Sequence, residues 1–193
     1  MRLKTQGQAF LAAWVVALVP AFGHPQEDIE AMFPQPTAEH RHLTEEVGTW
    51  DATITSFMNG PGQPPTMSKG VETNRMMGEF WLLSAFEGDF GGMPFRGHSQ
   101  IGFDPKAGHY VMSWVDTMNP KLSTHTGSYD PEAKTFTFVG KAFDPMLDKE
   151  VDQKTISVAT DSDHKVFTLF MKAPEYGDDW VEFMKIEYTR RKE

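Results

Sequence analysis

Cysteine is absent from all 193 residues. No disulfide can staple this fold, and no thiolate can serve as nucleophile or metal ligand. Basic side chains are scarce: 18 Lys and Arg stand against 27 Asp and Glu, a formal charge of −9. Nucleic acid and anionic lipid surfaces both demand basic patches, so neither is an expected partner. Long apolar runs are missing as well. The single candidate, 9–19, follows Arg2 and Lys4 and precedes Ala21-Phe22-Gly23. It is roughly half of the ~20 residues that a spanning helix needs. Basic start, short apolar stretch and small residues before His24 together read as a secretory signal peptide over 1–23. Its loss would remove two cations, making the chain more acidic still. The expectation is a periplasmic or secreted soluble protein with no stable membrane anchor after cleavage.

Catalytic signatures are also lacking. The nearest approach to a nucleophile elbow, Gly97-His98-Ser99-Gln100-Ile101, fails at its last position. There is no phosphate-binding loop and no dinucleotide fingerprint. His40 and His42 are two apart on an expected helix, where side chains diverge rather than share a ligand. Nothing has zinc-type spacing, so neither a metal nor a cofactor is expected. The segment GGMPFRG reads as a Gly-rich hairpin turn.

What the chain does have is β grammar. Residues 24–36, HPQEDIEAMFPQP, form a Pro-rich acidic leader without period. Thr37 can cap a short helix carrying Leu43 and Val47 on one face, with Gly48 as terminator. Ten alternating runs follow, near 50–57, 67–75, 80–87, 95–103, 110–117, 122–129, 135–141, 151–159, 166–172 and 180–188. Turn clusters such as DPKAG, DPEAK and PEYGDD separate them. These gaps are too short for crossover helices, so neighbours should pair as antiparallel hairpins. The expected fold is all-β over 37–193: one antiparallel up-and-down barrel of about ten strands, preceded by a short helix. Phe136 with Phe138, Phe167 with Leu169 and Met171, and Met184 with Ile186 and Tyr188 should face its interior.

The segments EHRHLTEEVGTW, GGMPFRGHSQIGFDPKAGHYVMSWVDTM, GSYD, FDP, HKVF and MKIEYTRRK resemble the bacterial domain-of-unknown-function family 1579. Members of that family are lipocalin-like β-barrels, and the likeness extends over about 39–192. It implies fold and no particular activity. A looser likeness is to the calycin group, whose barrels open on Gly-x-Trp and close with a basic residue packed on that Trp. Here the pair would be Trp50 of Gly48-Thr49-Trp50 with Arg190 or Arg191. The related nitrite- and haem-handling barrels open on a glycine-rich GxWxGxG. This chain instead follows Trp50 with Asp51-Ala52-Thr53, and departs from them there.

Tyr110, Met112, Trp114 and Asp116 alternate, so a regular strand points them one way. Soft, aromatic side chains beside one carboxylate suit the lining of a small-molecule site; Asp116 could equally cap a turn. Trp81 extends this candidate lining. Arg75 could meet a ligand carboxylate, as could Arg96. His98 and His125 flank the Tyr110 strand and could join Asp116 as an acid–base pair at a barrel mouth. The leading expectation is a binding protein for a small apolar molecule, with lining residues Arg75, Trp81, His98, Tyr110, Met112, Trp114 and Asp116. The alternatives are an isomerase- or cyclase-type enzyme using Asp116, His98 and His125, or an interaction module with a filled core.

Overall fold

The computed structural model describes residues 32–58 and 63–192. The chain divides into units 1–35 and 36–193. The signal peptide expected over 1–23 lies outside the described residues, as does most of the leader. In the second unit, α1 (Ala38–Thr44) precedes ten strands: β1 (Gly48–Ser56), β2 (Thr66–Met77), β3 (Trp81–Phe90), β4 (Met93–Asp104), β5 (His109–Asp116), β6 (Asn119–Asp130), β7 (Thr135–Asp144), β8 (Lys149–Ala159), β9 (His164–Lys172) and β10 (Val181–Arg190). Every strand pairs antiparallel with its sequence neighbours. β1 also pairs with β10, from Trp50 opposite Arg190 to Ser56 opposite Met184. The sheet is a closed ten-stranded barrel.

Three Asp-Pro turns build the β4–β5, β6–β7 and β7–β8 hairpins by one device. Proline presets the first turn position, and the preceding aspartate accepts from the backbone that follows. Asp104 Oδ1 accepts from Lys106 N at 2.9 Å and Ala107 N at 3.0 Å. Asp130 Oδ1 accepts from Glu132 N at 2.9 Å, and the buried Asp144 Oδ1 from Met146 N at 2.8 Å.

α1 stops up one end of the barrel. Its Leu43 is fully buried against Leu82, Tyr110, Phe136 and Phe138. His40 Nδ1 accepts from Thr37 N at 3.0 Å, and its ring packs edge-on against Phe80 and Phe103. Gly48 does not terminate the helix, which ends at Thr44; it opens β1 with φ +135°. That backbone conformation favours glycine, and a Cβ there would also lie 2.7 Å from the guanidinium at the end of the Arg190 side chain and push it aside. That guanidinium sits 4.0 Å from the Trp50 ring centroid. It donates to Val47 O and, at 2.8 Å, to Glu45 O. Arg191 instead pairs with Asp51 on the outside. Arg190 is therefore the basic residue that closes over the Trp.

Candidate functional site

The even positions of β2 and β3 and the odd positions of β4 face the lumen, because Asn74 pairs with Ser84 and Ser84 with Ser99. On β5, Tyr110, Met112, Trp114 and Asp116 face inward. This register supplies a cavity of about 330 Å³ lined by residues from all ten strands. It extends from Leu43, Glu46 and Lys165 beneath α1 to Asp116, Met118 and Phe143 at the far end. The α1 end is sealed, whereas Asp89, Met118 and Pro145 at the far end are exposed. The mouth is there. The β9–β10 connection shuts one side of it: Tyr176 packs on Phe183 at 4.8 Å and donates to the buried Asp144 Oδ2.

The lumen is hollow because its inner wall carries small side chains at mid-height. Asn74, Ser84, Ser99, Trp114 and Ser123 are successive cross-strand neighbours on β2 to β6. Large aliphatics at those serines would fill the space. Instead, a polar seam spirals along one side. Among the described residues, the hydroxyls of Ser84, Ser99 and Ser123 have no protein hydrogen-bond partner. The opposite wall carries Phe136, Phe138, Phe167, Leu169, Met184 and Ile186, interrupted on β8 by Gln153, Thr155 and Ser157.

Trp114 owes its position to two neighbours. Gly97 lies beneath the indole, where a Cβ would stand 2.2 Å from the ring. Its Nε1 donates to Asp116 Oδ2 at 2.8 Å, while Asp116 Oδ1 accepts from Met118 N at 2.8 Å. Asp116 thus both caps a turn and holds an indole at the mouth.

Other expected lining residues are elsewhere. Arg75, Trp81 and His98 occupy odd positions on β2 and β3 and an even one on β4, so the same register turns them to the outer wall, exposed. Trp81 lies over Gly102 there. Arg96 is exterior too, 3.5 Å from Glu87. None of these cations reaches the lumen. Tyr110 is inward yet below the cavity, donating to Glu39 O at 2.8 Å; burial raises its pKa.

His125 is inward and 3% exposed, folded over Gly140, and neither ring nitrogen has a hydrogen-bond partner. Burial lowers its pKa, with Gln153 opposing weakly. It stands opposite Met112, four residues from Asp116 along β5, roughly 13 Å at the usual rise. The acid–base pair expected of Asp116 with His98 or His125 is not assembled. No group of three potential metal ligands comes together among the described residues.

The sealed end holds what sequence reading missed. Lys165, 5% exposed, donates to Glu46 Oε2 at 2.6 Å and Glu72 Oε1 at 2.9 Å. Its ammonium also lies 4.4 Å from the Trp50 ring centroid and 4.8 Å from that of Tyr188. Burial alone would depress the Lys165 pKa; the two carboxylates outweigh it and hold it raised. The buried Tyr188 hydroxyl donates to Glu72 Oε2 at 3.0 Å, and burial followed by that carboxylate pushes its pKa up. Asn74 Nδ2 donates to Glu46 O at 3.1 Å and Glu72 Oε1 at 2.8 Å. A readable signal existed: Lys165 continues the dry face of Phe167, Leu169 and Met171 by one more step of two.

A family model described as "Protein of unknown function (DUF1579)" matches residues 35–190. The chain belongs to the DUF1579 family. No curated protein matches it. Among solved structures, this DUF1579 protein resembles Rv2717c from M. tuberculosis, with 14% identity and a TM-score of 0.62 over 82% of this chain and 100% of that one. It also resembles the S-type phycobiliprotein lyase CPES from Guillardia theta, with 11% identity and a TM-score of 0.55 over 81% of this chain and 94% of that one. At such identities the likeness is one of fold.

Proposed function

We propose that this DUF1579 protein is an exported binding protein that holds a small, largely apolar molecule in its barrel. The observation that carries the reading is the cavity itself: about 330 Å³, at the lower end of ordinary ligand pockets, with greasy walls and a few polar anchors. Kinship of fold with a phycobiliprotein lyase is compatible with a lumenal site and does not carry the reading. The separation of His125 from Asp116 leaves catalysis without a specific observation in its favour. The basic start and apolar run of 1–23 support export, which fractionation and N-terminal sequencing would check; the expected mature chain begins at His24.

The test is titration of delipidated protein with a hydrophobic dye and small apolar molecules, beside Ser99→Phe, which should fill the lumen from mid-height. Micromolar binding by the wild type and its loss in the variant are expected. A wild-type protein that takes up none of these probes would sink the reading.

A further inference from the structure

The polar groups beneath α1 divide unevenly into donors and acceptors. Every strong donor there is engaged. Lys165 lies between Glu46, Glu72 and two aromatic faces. Tyr188 spends its proton on Glu72, and Asn74 Nδ2 is bound to Glu46 O and Glu72 Oε1.

Acceptors remain. Asn74 is 3% exposed, lines the cavity, and its Oδ1 has no partner. A flip of the amide would not relieve this, because Oδ1 would then face two other acceptors. An orphaned buried acceptor is costly unless something donates to it. Glu46 Oε2 is held by Lys165, while no protein donor reaches its Oε1 among the described residues. Charge points the same way. Two carboxylates against one ammonium leave a surplus of negative charge facing the lumen. Arg190 does not line the cavity and is engaged elsewhere, donating to Val47 O and Glu45 O with Asp163 3.8 Å away. No cation other than Lys165 lines the cavity among the described residues.

We propose that this blind end is a subsite for a positively charged, N–H-bearing ligand end, a protonated amine or amidine, so that the molecule bound is an amphipathic cation with its amine deepest and its apolar body against the Phe and Met wall. The proposal rests on the lumen being a binding site. A carboxylate end is disfavoured twice: it brings no hydrogen to the free acceptors, and it meets like charge. Lys165 does not reverse this, since its ammonium is already shared by two carboxylates. The same engagement keeps it protonated, so it is no amine nucleophile.

A matched probe series on the full chain reads this directly. Decylamine, decanol, decanoate and decyltrimethylammonium would be titrated calorimetrically at neutral pH, together with a neutral hydrophobic dye. Decylamine should bind at least about tenfold more tightly than decanol, and decanoate more weakly than either. Decyltrimethylammonium carries the charge without an N–H and should fall well short of decylamine. Glu46→Gln, which keeps shape and removes charge, should lower the ratio of amine to alcohol affinity. Decanoate binding as tightly as the amine, or a quaternary ammonium matching it, would overturn the subsite. So would decanol and dye binding with no advantage to the amine, an outcome that leaves the lumenal reading standing. Binding of none of the probes would remove that reading and the subsite with it.

Discussion

His125 carries a buried titratable ring whose nitrogens make no hydrogen bond of good geometry, although the Gln153 side chain is near enough to favour its charged form. Its folded pKa lies below the ordinary 6.5 because burial disfavours the imidazolium. Above that value both folded and unfolded chains hold it neutral. As pH falls through 6.5, the unfolded chain takes up a proton that the folded one refuses, so stability is lost as pH falls toward the folded pKa. Urea unfolding between neutral pH and about pH 5 should show a steeper decline for the wild type than for His125→Leu. The variant should also be no less stable at pH 7, since an apolar side chain of similar bulk replaces an unsatisfied polar one. A parallel decline in both proteins would show that other groups set the slope. His125 looked catalytic in the sequence because any histidine beside a candidate acid does. Only the lateral offset along β5 separates the two, and spacing in one strand does not reveal which residue of the next stands opposite.

Among elements, the β9–β10 connection is held by the Tyr176 hydroxyl on Asp144, by Ala173 and Tyr176 packed with Val151, Met171 and Phe183, and by an exposed Lys149–Glu175 ion pair. Tyr176→Phe would remove the donor to Asp144 Oδ2 and leave that oxygen buried without it. The expected cost is about 1–3 kcal/mol, read as faster backbone hydrogen exchange over 173–180 while β1 to β8 keep their protection. The strands themselves were readable from alternation and turn chemistry. The three Asp-Pro turns sit between runs whose greasy positions recur every second residue, and all ten expected strands are present in order. The face of a strand was harder to read. β2 has no dry side: Ser68, Glu72 and Asn74 turn inward and Met67 and Met77 outward. Polarity therefore misled on Arg75, and the bulk of Trp81 concealed that it covers an exterior glycine. Of the floor cluster, only the inward face of Lys165 was readable, and the rest was hidden for a related reason. Glu46, Glu72 and Lys165 come from three distant segments, and only closure of β10 onto β1 brings them within hydrogen-bond reach.

For the whole molecule, that closing pair is decisive. Without β10, β1 and β9 would each expose a row of unpaired backbone groups, and the lumen would open to water. A chain ending before residue 181 should therefore fail to reach a compact monomer. Gel filtration should find it aggregated, with the near-ultraviolet dichroism of packed aromatics lost. A soluble, well-packed nine-stranded product would contradict the part assigned to the seam. The pairing partners lie some 130 residues apart in sequence, so folding should be slow for the size of the domain, the ends having to meet late.

Residue 37, ahead of α1, and residue 191, after β10, both emerge at the stoppered pole, across the full height of the cylinder from its doorway. A dye, surface tether or fused domain added after residue 191 would hang from the blind pole and leave the entrance unobstructed. A handle placed in the β3–β4 or β5–β6 turn would stand in the way of whatever passes through.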